Sequence, residues 1–467
     1  MFISFASVLL TKSGSDTIFV VNREIREYMN ERIELKGMWW LPGNPDTKVA
    51  GMFTFIPGES IVLELIGALG KVKSALDAFL SKKNEDVIFG VTSDAQEVTL
   101  FNCGVSGSLN FNCPFPITRY ICQYAIIGAH VNSTSESRFF EATVKFPLIS
   151  QWCSPCALST TFYSNENDKF RSCRVEFDCK RNVLHSVDID GNTSLNLEGA
   201  VDYHGDYFSP KIEQSTILRI CKKCDSSVEG FLHDIFMYEQ FLSFAALQEV
   251  RCSGIILHDK EAYQELKDNE KLYDSIRLVY VQREYSAPSD DKNGNFLFRY
   301  ETIKEQYDSI IRKWYLEKDD IAPIRQHLIS SIRSKTVFTS VDFLIVIQAV
   351  EGFWWRFRDN AYKVKKSLPQ EQNTKLKTIL DELLKEFGNV KLLKDIGVDI
   401  AAVVDSRHYY SHFMERGKKK NIVDGYELYV LTEKLTKLLI CCLLSFVGFN
   451  NNEVDMILNK SYNKLLR

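Results

Sequence analysis

Over the first 224 positions, runs rich in β-branched and aromatic residues are cut into short pieces by Gly, Asn, Asp, Ser and Pro. The runs Thr17–Val21, Val49–Phe55, Ile61–Ile66, Val87–Thr92, Tyr120–Val131, Phe139–Phe146, Arg174–Phe177 and Thr216–Cys221 predict strands, because such side chains pack on a pleated surface. Many short strands without helices between them imply a sandwich or a barrel, and a sandwich-like arrangement is expected. After Cys224 the period changes. Val228–Val250 keeps apolar residues at helical spacing (Phe231, Ile235, Tyr238, Phe241, Leu242), followed by β-like Ser253–His258 and Ile276–Gln282. Ser286–Asn295, with Pro288, Gly294 and several Asp and Asn residues, predicts a loop or linker. Beyond Tyr300 the pattern is helical: Ile303–Leu316, Ile321–Ser334, Ser340–Lys365, Glu371–Phe387, Ala401–Glu415, Asp424–Val447 and Asn452–Leu466, with Pro369, Gly388, Gly397 and Gly417 at the breaks. The expected architecture is α+β and multidomain: a β-rich domain at 1–225, a mixed connecting region at 226–300 and an all-α bundle at 301–467.

Composition narrows the class. With 45% hydrophobic and 25% charged residues among 467, the chain has a core to bury and lacks a disordered or fibrous bias. No run reaches the ~18 to 20 apolar residues of a membrane span; Leu438–Val447 is too short and reads as a buried helix. Met1–Leu10 has neither a basic n-region nor a small-residue cleavage site, so a cytoplasmic protein without membrane attachment is expected. Twelve irregularly spaced cysteines suit reduced thiols better than a disulfide framework. The net charge of -4 conceals an asymmetry: residues 301–467 hold 27 Lys+Arg against 22 Asp+Glu, whereas 1–300 hold 30 against 39. Only the C-terminal part suits a polyanion.

Within that part, the segment VVDSRHYYSHFMERGKKKN (Val403–Asn421) concentrates chemistry. On a helix His408 and His412 share one face, with Arg407 one step round. RNA carries its own nucleophile in the 2′-hydroxyl, so cutting it requires a group that removes that proton and a cation that stabilises the phosphorane. An imidazole suits the first task and a forked guanidinium the second. Arg407 and His412 supply this minimal set; DNA, lacking the attacking oxygen, is expected to be spared. Arg416, Lys418, Lys419 and Lys420 then offer phosphate contacts, and Tyr409 a stacking surface, while geometry turns at most one of Tyr409 and Tyr410 toward a cleft. The competing reading is a solvated loop beside core tyrosines.

An arginine followed four to six residues later by a histidine, late in a helical bundle, resembles the hallmark of the HEPN proteins; here it is Arg407, His408 and His412. FLIVIQAVEGFWWRF (Phe343–Phe357) resembles the early HEPN helix with its glutamate, here Glu351, and LTEKLTKLLICCLLSFVGF (Leu431–Phe449) its apolar closing helix. KGMWWLPGNPDTKVAGMFTFIPGESIVLELIG (Lys36–Gly67) is similar to the opening of the ApeA N-terminal domain. The resemblance is thus to ApeA-like HEPN anti-phage defence proteins. It implies a metal-independent, abortive-infection endoribonuclease giving a 2′,3′-cyclic phosphate, without a cofactor, whose HEPN domain forms a homodimer with a composite site. His412 is then the acid or base, Arg407 the phosphate holder and His408 an assistant. Glu351 fixes the arginine or histidine, or serves as an internal ion-pair partner. RNA, with tRNA as first candidate, and a phage-derived trigger are the implied partners.

Other features leave alternatives open. Cys153 with Cys156 and Cys221 with Cys224 have zinc-knuckle spacing, although the gap between the pairs is long. His408 and His412 at i, i+4 also suit a metal, but no third ligand accompanies them. Trp39 and Trp40 suit either sugar stacking or core packing. A non-catalytic HEPN dimerisation scaffold with a ligand-binding β domain is the competing whole-protein reading.

Overall fold

The computed structural model describes residues 27–70, 84–106, 117–155, 157–164, 170–177, 182–205, 208–265, 271–282, 296–316, 318–333, 340–358, 375–413 and 415–460. The chain divides into two compact units, Met1–Glu239 with Arg251–Asp290, and Gln240–Val250 with Asp291–Arg467. The segment 226–300, read from sequence as a connecting region, is therefore shared out between them. Thr17–Val21 and the linker Ser286–Asn295 lie outside the described residues.

The first unit is strand-rich, as expected, and six of its strands close into a barrel where a sandwich-like arrangement was expected. β1 (Ile33–Trp40), β2 (Val49–Ile56), β3 (Ser60–Ile66), β4 (Glu85–Thr92), β5 (Glu97–Ser106) and β6 (Ile117–Cys122) run in the order β5-β4-β1-β2-β3-β6, and β6 returns to pair with β5. Every pairing in the ring is antiparallel. Inward positions hold Trp39, Phe53, Leu63, Leu65, Ile88 and Leu100, all fully buried. Trp39 stacks on Phe53, with ring centroids 6.4 Å apart, and Trp40 meets His130 edge-on, so the tryptophan pair packs the core. Gly90 is required beneath Trp39: a Cβ there would sit 2.3 Å from a ring atom.

β5 also pairs with β7 (Tyr124–Ile127), which continues the sheet through β17 (Ile276–Tyr280), β14 (Gly254–Asp259), β8 (Phe139–Lys145), β13 (Pro210–Ser226) and β12 (Thr193–Gly205) to β11 (Asn182–Asp188). β11 is the outer strand, and its register against β12 is broken by a bulge between Val183 and His185. On three adjacent strands, Arg219 donates to Glu141 at 2.6 Å and to Glu198 at 2.8 Å, and also to Thr143 at 2.9 Å. Such a buried cation persists because its donors are satisfied by carboxylates.

The second unit is helical, as the periodicity predicted. Its helices are α1 (Val228–Ala246, whose last turns belong to this unit), α2 (Tyr307–Leu316), α3 (Lys318–Arg333), α4 (Ser340–Phe357), α5 (Leu376–Glu386), α6 (Lys391–Ile396), α7 (Ile400–His412), α8 (Gly425–Val447) and α9 (Asn451–Lys460). α8 is the central member and packs on α2, α3, α4, α6 and α9. From Leu438 to Leu444 every residue is buried, which explains why its apolar pattern runs round the whole helix. It ends at Gly448, whose φ of 119° suits glycine and whose N–H closes the last turn onto Ser445. Phe241 and Phe244 of α1 enclose Trp314, Phe244 lying parallel to it at 5.9 Å. Arg358 at the end of α4 forks onto Glu386 and reaches Ser445 at 2.8 Å, fastening α4 to both α5 and α8. Among the described residues, no helix is long and apolar enough to cross a membrane.

Candidate functional site

α7 begins where Asp399 caps it: the carboxylate accepts from the Ala402 N–H at 3.0 Å, satisfying an otherwise orphaned donor. Ala402, Val403 and Ser406 are its buried positions, and α7 packs on α4 and α5. This anchoring turns the remaining positions toward solvent. The sequence predicted a helix to Glu415, but it stops at His412 because Phe413 adopts a left-handed conformation, φ 50° and ψ 42°.

Arg407 leans across to α4, its guanidinium 3.4 Å from Glu351, and its side chain stays 30% exposed. Of the partners the sequence left open for Glu351, the arginine is the one it meets. Burial pushes the Glu351 carboxyl above the usual carboxylate range; the charge and hydrogen bond of Arg407 pull it down without cancelling the effect. His408 and His412 lie next to each other, ring centroids 5.8 Å apart, with His408 half-buried and His412 exposed. Partial burial holds His408 below the ordinary imidazole value, and the neighbouring charges of Lys419, Arg407 and His412 act in the same direction, while Asp405 opposes them. A neutral, proton-accepting imidazole at neutral pH is the result.

The basic loop after α7 folds back onto it. Asp405 accepts from the backbone N–H of Asn421 at 3.2 Å and from its side-chain amide at 3.0 Å, and pairs with Lys419 at 3.3 Å. Burial works to raise Asp405, but these hydrogen bonds and the lysine charge hold it below the usual carboxylate range. Val423 is gripped from both sides: its N–H donates to buried Ser406 at 3.1 Å, and its carbonyl accepts from Tyr410 at 3.0 Å. Arg416 pairs with Asp424, and Lys418 with Glu415 at 3.5 Å; Lys420 is exposed. Of the sequence-derived cations, Lys419 thus comes beside His408, whereas Arg416 and Lys418 are engaged within the loop. Tyr410 packs edge-on against Phe343, and Tyr409 is half-buried against Tyr410.

Asp405, Ser406, Asn421 and Asp424, which shape this loop, were not singled out in the sequence. The available signal was a pair of polar residues, Asp405 and Ser406, directly before Arg407 on an otherwise apolar face. Phe413 was also passed over; its exposure depends on where the helix stops.

Elsewhere, Cys153 is buried, Cys221 half-buried and Cys224 exposed, while Cys156 lies outside the described residues. Among the described residues, no three His, Cys, Asp or Glu side chains gather into a metal-holding group.

Comparison with protein families gives two matches: ApeA N-terminal domain 1 over residues 34–314, and Apea-like HEPN over residues 344–453. No curated protein and no solved structure matches the chain. The first match alone covers more than half of the sequence, and the second contains α7, Glu351 and the basic loop, so the chain belongs to the ApeA-like HEPN defence proteins.

Proposed function

We propose that this protein is a metal-independent endoribonuclease of anti-phage, abortive-infection defence, cutting through Arg407 and His412. The observation that carries the reading is α7, whose solvent-accessible positions hold two adjacent imidazoles and, further round the helix, a partly exposed guanidinium anchored by Glu351. The 2′-oxygen attacks the adjacent phosphorus as a histidine takes its proton, and the 5′-oxygen leaves with a proton returned by an imidazolium. The Arg407 guanidinium meets the charge that builds on the phosphorane oxygens. His412, being exposed, reaches substrate as acid or base, and His408, adjacent and held neutral, assists by taking up a proton. Lys420 is exposed, and the ion pairs of Arg416, Lys418 and Lys419 lie at the surface where a phosphate can replace the carboxylate, which favours an RNA backbone near the cut.

Five positions put Arg407 and His412 about 140° apart around an ideal helix. A second copy laid against α7 would bring the guanidinium of one protomer toward the imidazoles of the other, which favours a homodimeric composite site. The β-rich unit, in this reading, damps the nuclease without abolishing cutting until a phage-derived trigger acts in the cytoplasm, and tRNA is the first substrate to try.

The test is incubation of the protein with total RNA and with DNA in EDTA. RNA is expected to be cut and DNA spared, with 5′-hydroxyl ends that a kinase labels without prior phosphatase treatment. Arg407→Ala and His412→Ala are each expected to lower the rate by roughly 100-fold or more. Full activity in both variants would remove these residues from the chemistry.

A further inference from the structure

The helical unit exposes two large aromatic side chains, Phe413 at 93% and Tyr426 at 70%, among its described residues, and they bracket the basic loop. Phe413 follows His412 directly. Its backbone is left-handed, a conformation costly for a residue with a side chain. That conformation ends α7 and presents the ring to water instead of letting it follow the helix. Nothing of the sort holds for the tyrosines of the motif: Tyr410 is fixed by its hydroxyl to Val423 and by its ring to Phe343, and Tyr409 lies against it.

An exposed ring directly after His412 in the chain, followed by a loop with four cations in five positions, of which Lys420 is exposed and the ion pairs of Arg416 and Lys418 face water, fits a chain that is both anionic and aromatic. Single-stranded RNA is such a chain: its phosphates meet the lysines while an unstacked base lies on the ring. We propose that Phe413 is the stacking platform for a nucleobase flanking the cut linkage, so that unpaired RNA is selected over duplex. The assignment rests on the ribonuclease reading and adds to it the residue that recognises the base.

The probe is a short, fluorescently labelled 2′-O-methyl RNA, which binds but lacks the attacking hydroxyl; affinity is read by anisotropy and assembly state by sedimentation. Phe413→Ala and Phe413→Leu are expected to weaken binding about tenfold, the order of a lost base–aromatic stack. Phe413→Trp should keep the affinity, and all three variants should keep the parent's assembly state and melting temperature. Leucine separates a need for an aromatic face from a need for bulk. Unchanged binding in Phe413→Ala, with the parent still cutting natural RNA, would overturn the platform and leave the nuclease standing. Dissociation of Phe413→Ala at concentrations where the parent is a dimer would reassign the ring to the contact between copies. A parent that neither binds nor cuts RNA would overturn both.

Discussion

At the scale of single residues, charge placement around His408 makes the pH profile informative. The neutral form of the ring is the one that accepts a proton, and the cation of Lys419 favours it. Removing that cation lets the ring hold its proton to higher pH. Asp405 remains beside the ring and, with Lys419 gone, raises its pKa unopposed by that cation. Lys419→Ala is therefore expected to move the acid limb of a cleavage-rate profile upward in pH, whereas Lys420→Ala, which changes no group acting on His408, leaves it in place. An unmoved limb in Lys419→Ala would separate His408 from the rate-determining proton transfer. Arg407, His408, His412 and Glu351 were legible in the sequence because their types and spacing suffice to name them. Asp405 and Ser406 were not, since their partners Lys419, Asn421 and Val423 reach them only after a loop folds back. Phe413 depended on a single backbone conformation that no propensity dictates.

At the scale of elements, α7 is a helix held mainly by its ends and one buried face, since its exposed side carries the functional groups. Its N-terminal cap should therefore matter measurably. Asp399→Ala is expected to cost about 1 kcal/mol of stability in denaturant unfolding, with Asp399→Asn costing much less because an amide oxygen still accepts the Ala402 N–H. Helix positions were readable because apolar residues recur at the helical period; α6 was not, being six residues long between Gly388 and Gly397. The run Tyr120–Val131 looks continuous, yet it splits at Gln123 into β6 and β7. One half closes the barrel against β3 and the other joins β17, a division that alternation alone does not encode.

At the scale of the whole molecule, the boundary between units does not follow chain order. Gln240–Val250 belongs with the helical unit although the chain then returns to the sheet for β14 and β17. The physical reason is aromatic packing, with Phe241 and Phe244 against Trp314, and Phe244 also edge-on to Phe298. Phe244→Ala is accordingly expected to destabilise the helical unit by about 3–5 kcal/mol, read from calorimetry or denaturant unfolding. A destabilisation under about 1 kcal/mol would mean the neighbouring rings refill the space. Sequence reading placed the nearest boundary by texture and so could not see a discontinuous unit.

Closure of β6 onto β5 also decides how the sheet meets other chains. A ring has no loose backbone donors or acceptors along its sides, so the barrel end of this sheet offers no template for polymerisation. Among the described residues, the open margin of this sheet is β11, where the kink between Val183 and His185 spoils the regular spacing an incoming strand would need.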